Sequence, residues 1–277
     1  MRLASKAMGV IAAAACAFLS ACTSIDETLT TAATQSLAQP ASFALEKARP
    51  RYGDSDPVFE WEGGAPFNFP IHGVDVAKWQ QDLNWRALER QGIRFAFIKA
   101  TEGGDLLDEM FAKNWHDAGR AGIERGAYHF LYFCTEAEIQ ARWFIRNVPR
   151  TRGALPPILD AEWNPKSPTC TRRPAPQEVR AKMTRWLDLV ERHYGQRPII
   201  YTTVDFHRDN LVGHMDDEVF WLRSTKTHPK VTYPGRDWVF WQYTGTGRLH
   251  GAEGDIDINV FNGSERAWRD WLKAAKR

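Results

Sequence analysis

Two carboxylates stand two positions apart at the end of an apolar run, in Pro156-Pro157-Ile158-Leu159-Asp160-Ala161-Glu162-Trp163. In an extended strand alternate side chains share a face, so Asp160 and Glu162 point the same way, about 6–7 Å apart along the backbone. At that separation two carboxyl groups can act on one glycosidic bond, one protonating the leaving oxygen and the other facing the positive charge that develops. Acids also gather at strand ends simply because strands end in solvent. The pair therefore gains meaning only from the elements that position it.

Those elements alternate from residue 71 onward. Strand-like runs fall at 71–77, 93–99, 123–130, 157–162 and 198–202. Helical patterns lie between them at 84–91, 108–121, 135–148 and 177–194, the last with Val179, Met183, Trp186, Leu187 and Val190 on one stripe. Asn84 and Thr135 have the residue types of N-caps, and Gly122 and Gly195 those of C-terminal stops. After residue 202 the rhythm changes. Runs at 219–223, 238–243 and 255–259 read as strands with little helix between them, and a final helix is expected at 264–276. Five βα units followed by three strands predict an α/β fold, a single TIM-like barrel of the type (β/α)5(β)3. In such barrels chemistry sits at the carboxyl ends of the strands, where Asp160 and Glu162 fall.

Barrel closure brings in two further acids. Asp75 lies late in the first strand and Asp257 in the last, and a closed barrel makes those strands neighbours. Four carboxylates then converge on one mouth.

The first 70 residues read differently. Arg2 and Lys6 precede an apolar run over 7–18, followed by Leu19-Ser20-Ala21-Cys22. This is the pattern of a signal peptide, too short to span a membrane, and its last four residues resemble the bacterial lipobox, which implies cleavage after residue 21 and lipidation at Cys22. Thr23 in place of an Asp favours the outer membrane, with the protein facing the periplasm. Residues 23–42 have the Thr, Ala, Ser and Gln content of a tether, and 43–70 carry scattered aromatics expected to pack irregularly on the domain. The expected division is thus 1–21 signal, 22–70 anchor, tether and lead-in, and 71–277 barrel.

The formal net charge is +2, and removing residues 1–21 takes away two basic residues and no acid, leaving the remainder neutral. Nothing in that balance points to nucleic acid. No CxxC pair, His cluster or glycine-rich phosphate loop calls for a metal or cofactor, and a monomer is expected. Spacing alone leaves Cys134 and Cys170 as either a disulfide or two buried thiols. Their positions after adjacent strands, in an exported protein, favour the bridge.

Six segments together resemble the glycoside hydrolase family 25 lysozymes: Gly73-Val74-Asp75-Val76-Ala77-Lys78-Trp79-Gln80, Phe97-Ile98-Lys99-Ala100-Thr101-Glu102-Gly103, Gly126-Ala127-Tyr128-His129-Phe130, the octapeptide above, Trp241-Gln242-Tyr243 and Asp257-Ile258-Asn259-Val260-Phe261. The resemblance implies the same (β/α)5(β)3 barrel. It also implies cleavage of the β-1,4 bond between N-acetylmuramic acid and N-acetylglucosamine, with peptidoglycan as partner. By motif, Glu162 matches the general acid and Asp160 the acid that stabilises positive charge or orients the substrate N-acetyl group. Asp75 and Asp257 match supporting carboxylates. Tyr128, Trp241, Glu102 and Tyr201 are the substrate-binding candidates, with Trp79 and Trp163 as further sugar platforms, whereas His129 is expected to be a core residue. The chain departs from the family in reading Trp221-Leu222-Arg223-Ser224-Thr225-Lys226, where many members place an aromatic after the sixth strand's Trp. Glu162 is expected to be held protonated while Asp160 stays ionised. A catalytically silent peptidoglycan binder and another glycan hydrolase such as a chitinase are the competing readings.

Overall fold

The computed structural model describes residues 43–276; the signal, the tether and Cys22 lie outside them. Eight strands form the barrel: β1 His72–Val76, β2 Ile93–Glu102, β3 Glu124–Phe130, β4 Ile158–Ala161, β5 Ile199–Thr202, β6 Phe220–Arg223, β7 Phe240–Arg248 and β8 Ile256–Phe261. Parallel pairing runs unbroken from β1 to β7. β8 then closes the ring antiparallel to both β7 and β1. This is the expected (β/α)5(β)3 barrel.

Helices cover the outside: α1 Trp85–Arg90, α2 Phe111–Arg120, α3 Ala137–Asn147, α4 Pro176–Tyr194, α5 Val204–Asn210 and, at the end, α6 Glu265–Ala275. The stripe expected on α4 is completely buried, and each such side chain contributes about 1.5–3 kcal/mol on leaving water. Gly195 stops α4 at φ 74°, a left-handed position that suits glycine. Asn84 caps α1 by accepting from the Ala87 amide. Thr135 does not cap α3: the N-cap is Glu136, without a side-chain bond. The Thr135 carbonyl instead accepts from Gln140 Nε2 and Lys182 Nζ. α5 is a seven-residue helix that the sequence pattern left undefined.

Strand parity divides the core in two. Phe95, Phe97, Ile158, Ile199, Tyr201, Trp221, Phe240 and Phe261 fill the barrel with Trp268 of α6. Their neighbours in sequence, such as Ala96, Leu159, Ile200, Leu222 and Trp241, face outward into the layer beneath the helices and lead-in. Gly73 belongs to the inner set for a steric reason: a Cβ there would meet the Phe95 ring at 2.4 Å.

The lead-in is more regular than its composition suggests. Short strands at Leu45–Lys47 and Glu60–Glu62 pair with each other, and Gly53–Asp54 pairs antiparallel with β7. Trp61 anchors the segment, buried edge-on against Trp241 at 5.5 Å between ring centroids. Cys134, after β3, and Cys170, after β4, form a disulfide with Cα atoms 5.7 Å apart. Closing its 36-residue separation is worth about 2–4 kcal/mol.

Candidate active site

Asp75, Asp160, Glu162 and Asp257 meet at the carboxyl-end mouth of the barrel, in one cavity of about 310 Å³ that also takes Lys99, Tyr128, Tyr201, Arg223 and Trp79 into its walls. Asp257 and Asp75 are register partners across the β8–β1 pairing. Asp160 pairs with Phe130 on one side and Tyr201 on the other.

Asp75 is the most firmly held of the four. Asn259 Nδ2 donates to its Oδ1 at 2.7 Å, and Gln242 Nε2 donates to both of its oxygens at 2.9 and 3.1 Å. Behind these amides, Trp221 Nε1 donates to Asn259 Oδ1 and the Tyr201 hydroxyl donates to Gln242 Oε1. The chain of bonds fixes which way each amide points. Burial pushes Asp75 up to about 6, against the pull of these donors and of Arg223.

The remaining three acids are pushed up as well. Glu162 rises to about 7, chiefly because it is removed from water, with Arg223 opposing the shift. Asp160 is raised well above the usual carboxylate range by its burial and then by Glu162 beside it. Its Oδ1 is buried without a hydrogen-bond partner. Asp257 is raised by burial and by Asp75. The expectation that Asp160 stays ionised finds little support in the free site: nothing donates to Oδ1, and Lys99 alone among its leading influences favours the charge. Asp160 and Glu162 titrate as a coupled pair that holds protons to higher pH than free carboxyls do.

Trp241 is the clearest correction among the substrate-binding candidates. It is completely buried, and its indole donates to the Ser224 carbonyl at 2.6 Å, so it has no face for a sugar. Parity is the reason: Gln242 points into the barrel, and Trp241 must point out. Trp163 fails in the same way, being the outward neighbour of Glu162. It packs on Phe133 and Phe206 and donates to Asp209.

Tyr128 and Tyr201 do line the cavity, and Trp79 stands at its rim, 74% exposed, with the Lys78 ammonium 5.0 Å from its ring. Glu102 is not in the cavity wall, although a register shift in β2 between Lys99 and Thr101 sets it opposite the cavity-lining Phe130. It accepts instead from Lys99 Nζ, at 2.5 Å, and from the Tyr132 hydroxyl, and so positions the Lys99 charge. His129 is a core residue, held between Thr101 and Gln140 and stacked on Trp186.

Lys99, Arg223, Gln242 and Asn259 were missed as site residues. Gln242 and Asn259 carried a usable signal, since each lies at even spacing from an inward residue in its strand. Arg223 occupies the place where the sequence lacks the expected aromatic. Among the described residues, no group of three or more His, Cys, Asp or Glu is arranged to hold a metal ion.

Buried proton-holding carboxyl groups, flanked by two cations, aromatic rings and an open cavity, form a site able to protonate a leaving oxygen and to face a developing cation. Known proteins agree with that geometry. The profile described as glycosyl hydrolases family 25 matches residues 74–252. Uncharacterized protein YegX of Escherichia coli K12 is 36% identical over 216 residues, covering 75% of each chain. Lysozyme M1 of Streptomyces globisporus is 35% identical over 206 residues, 70% of this chain and 68% of that one. Among solved structures, a family 25 glycosyl hydrolase from Bacillus anthracis superposes with a TM-score of 0.69 at 36% identity, over 80% of this chain and 99% of the other. On the fold, the four-acid mouth and these matches together, the chain belongs to glycosyl hydrolases family 25.

Proposed function

We propose that this protein is a peptidoglycan hydrolase, a muramidase that cleaves the β-1,4 bond between N-acetylmuramic acid and N-acetylglucosamine. The observation that carries the reading is Glu162, an acid pushed up to about 7 at the mouth of the barrel, beside a second buried carboxyl. A group with that affinity keeps its proton in about half of the molecules at neutral pH, and in most below it, and can deliver it as the glycosidic bond breaks.

In this reading Glu162 protonates the leaving oxygen. Asp160 faces the sugar undergoing cleavage, and positive charge developing there draws it toward its ionised form. Asp75, fixed by Asn259 and Gln242, and Asp257 complete the negative wall. Tyr128, Tyr201 and Trp79 contact the sugar rings. The likeness to Lysozyme M1 supports the substrate.

The test is digestion of purified peptidoglycan by the full chain, with identification of the new reducing-end sugar. Muramic acid ends from the wild type, reduced by about 10²–10⁴-fold in Glu162→Gln, support the proposal. Binding without cleavage by the wild type overturns it in favour of a silent peptidoglycan binder.

We further propose, from the lipobox-like Leu19-Ser20-Ala21-Cys22 alone, that a lipid on Cys22 holds the protein at the cell envelope. Cys22→Ser is expected to move it from the membrane fraction to the soluble fraction. Unchanged partition overturns the anchor.

A further inference from the structure

A second cavity, of about 230 Å³, opens beside the catalytic one. Its floor is a disturbed stretch of β7, where two register shifts against β8 fall between Gln242 and Gly247. Such irregularities re-aim side chains and open space beside a strand. Its other wall is the lead-in, which precedes the segment matched by the family profile.

The lead-in is fastened there by specific bonds. Asp54 accepts from the hydroxyls of Thr244 and Thr246 at 2.7 and 2.6 Å. Ser55 donates to the Thr246 carbonyl through its amide and to Asp255 through its hydroxyl. The cavity is thus built by the fold before any ligand arrives.

Two contacts join the cavities. Arg223 lines both of them. Gly245, in the wall of the second, lies so close to the catalytic Asp257 that a Cβ on it would be 3.1 Å from Asp257 Oδ1. The two cavities are therefore neighbours, with Arg223 in the wall of each.

The second cavity sets two cations and two acids against an amphiphilic wall, with the cations the groups left open to a ligand. Arg223 and Lys226 enter it, and among the described residues neither takes part in an ion pair. Both oxygens of the opposing Asp54 are already engaged by threonine hydroxyls. Asp56 stands exposed at the outer rim. Trp61, Phe67 and Tyr243 supply apolar surface. Two open cations in one wall suit a ligand with more than one carboxylate, as a short peptide has and a single lactyl carboxylate on a stripped sugar does not.

We propose that this cavity binds the peptide borne by the muramic sugar: its carboxylates meet Arg223 and Lys226 while the glycan lies in the catalytic cavity. The inference rests on the muramidase reading and extends it, making peptide-bearing strands the preferred substrate over naked glycan.

Two measurements on the full chain test it. The first compares kcat/KM on peptidoglycan strands with their peptides and on the same strands stripped by an amidase, for wild type and for Lys226→Glu. The wild type is expected to favour peptide-bearing strands, and the exposed substitution to cut that preference about threefold, the size of a solvent-exposed charge contact. The second titrates a soluble stem tripeptide with free carboxylates at low salt, read by NMR shifts of β7 amides, with binding lost in Lys226→Glu.

Equal cleavage of both strands with no tripeptide binding overturns the peptide site and leaves the hydrolase intact. Tripeptide binding lost in the variant, with cleavage of neither strand, supports the site and overturns the hydrolase. A preference that survives Lys226→Glu, with tripeptide binding unchanged, overturns the assignment to this cavity.

Discussion

The inner and outer ends of one barrel are filled by opposite chemistry. Deep in the barrel Phe95, Phe97, Phe240 and Phe261 meet Trp221 and Trp268, with Phe97 and Trp221 ring centroids 4.5 Å apart. At the mouth, residues of the same inward parity are Asp75, Asp160, Glu162, Asp257, Lys99 and Arg223. The two ends are coupled: Asp75 and Phe97 are register partners on adjacent strands. An aromatic plug fills the barrel below the acids, and the acids above it are raised mainly by desolvation. The apolar end is thus part of what makes the acidic end reactive.

That coupling can be broken from either side. The largest effect is expected from Glu162→Gln, which removes the proton donor and lowers cleavage by about 10²–10⁴-fold. If only the acidic end is altered, the urea midpoint should not fall.

Phe97→Ala attacks the other end and should cost about 3–5 kcal/mol in urea unfolding. Water entering the space also lowers the acids, so the alkaline limb of the activity profile should move to lower pH. If the alanine variant does not fold, Phe97→Leu should show the same shift to a smaller extent. An unmoved limb in a folded variant separates the two ends.

Smaller still is the pH dependence of stability. Glu162 and Asp75 stand at about 7 and about 6 in the folded protein, against ordinary values of 4.5 and 3.8. The folded state therefore holds more protons than the unfolded one between those limits, and stability falls as pH rises through them. The penalty is absent below about pH 4 and complete above about pH 7. Activity and stability should both be higher at about pH 5.5 than at about pH 8. A urea midpoint that rises over that interval would falsify the dry-mouth account.

Much of this was legible in the chain, because hydrophobic period and strand parity are local properties. All eight barrel strands, and Asp75, Asp160, Glu162 and Asp257 at one mouth, followed from alternation and closure. Boundaries moved by a few residues, most at β7, which runs to Arg248 where the pattern ended at residue 243. That extension pairs with β8 at Thr244 and Gly247 and with residues 53–54 at Gly247 and Arg248, contacts no local pattern encodes. Trp241 was misjudged because residue type outweighed parity. The unpartnered Oδ1 of Asp160 was not legible, because such an atom is defined only once the neighbours are placed. Arg223 was visible as a departure, but its position between two cavities needed the lead-in.

Ring closure has a consequence beyond the placement of Asp257 beside Asp75. Once β8 pairs with both β7 and β1, every strand of the ring has two neighbours, leaving no continuous row of unpaired N–H and C=O groups on which a second chain could build. Outside the ring the strands with an open edge are short: Leu45–Lys47 and Glu60–Glu62 are three residues each and carry Lys47, Glu60 and Glu62, and Gly53–Asp54 and Leu106–Leu107 are two each. Such short edges are poor templates for aggregation, so the bonds that close the barrel also set how well the protein resists self-association when crowded.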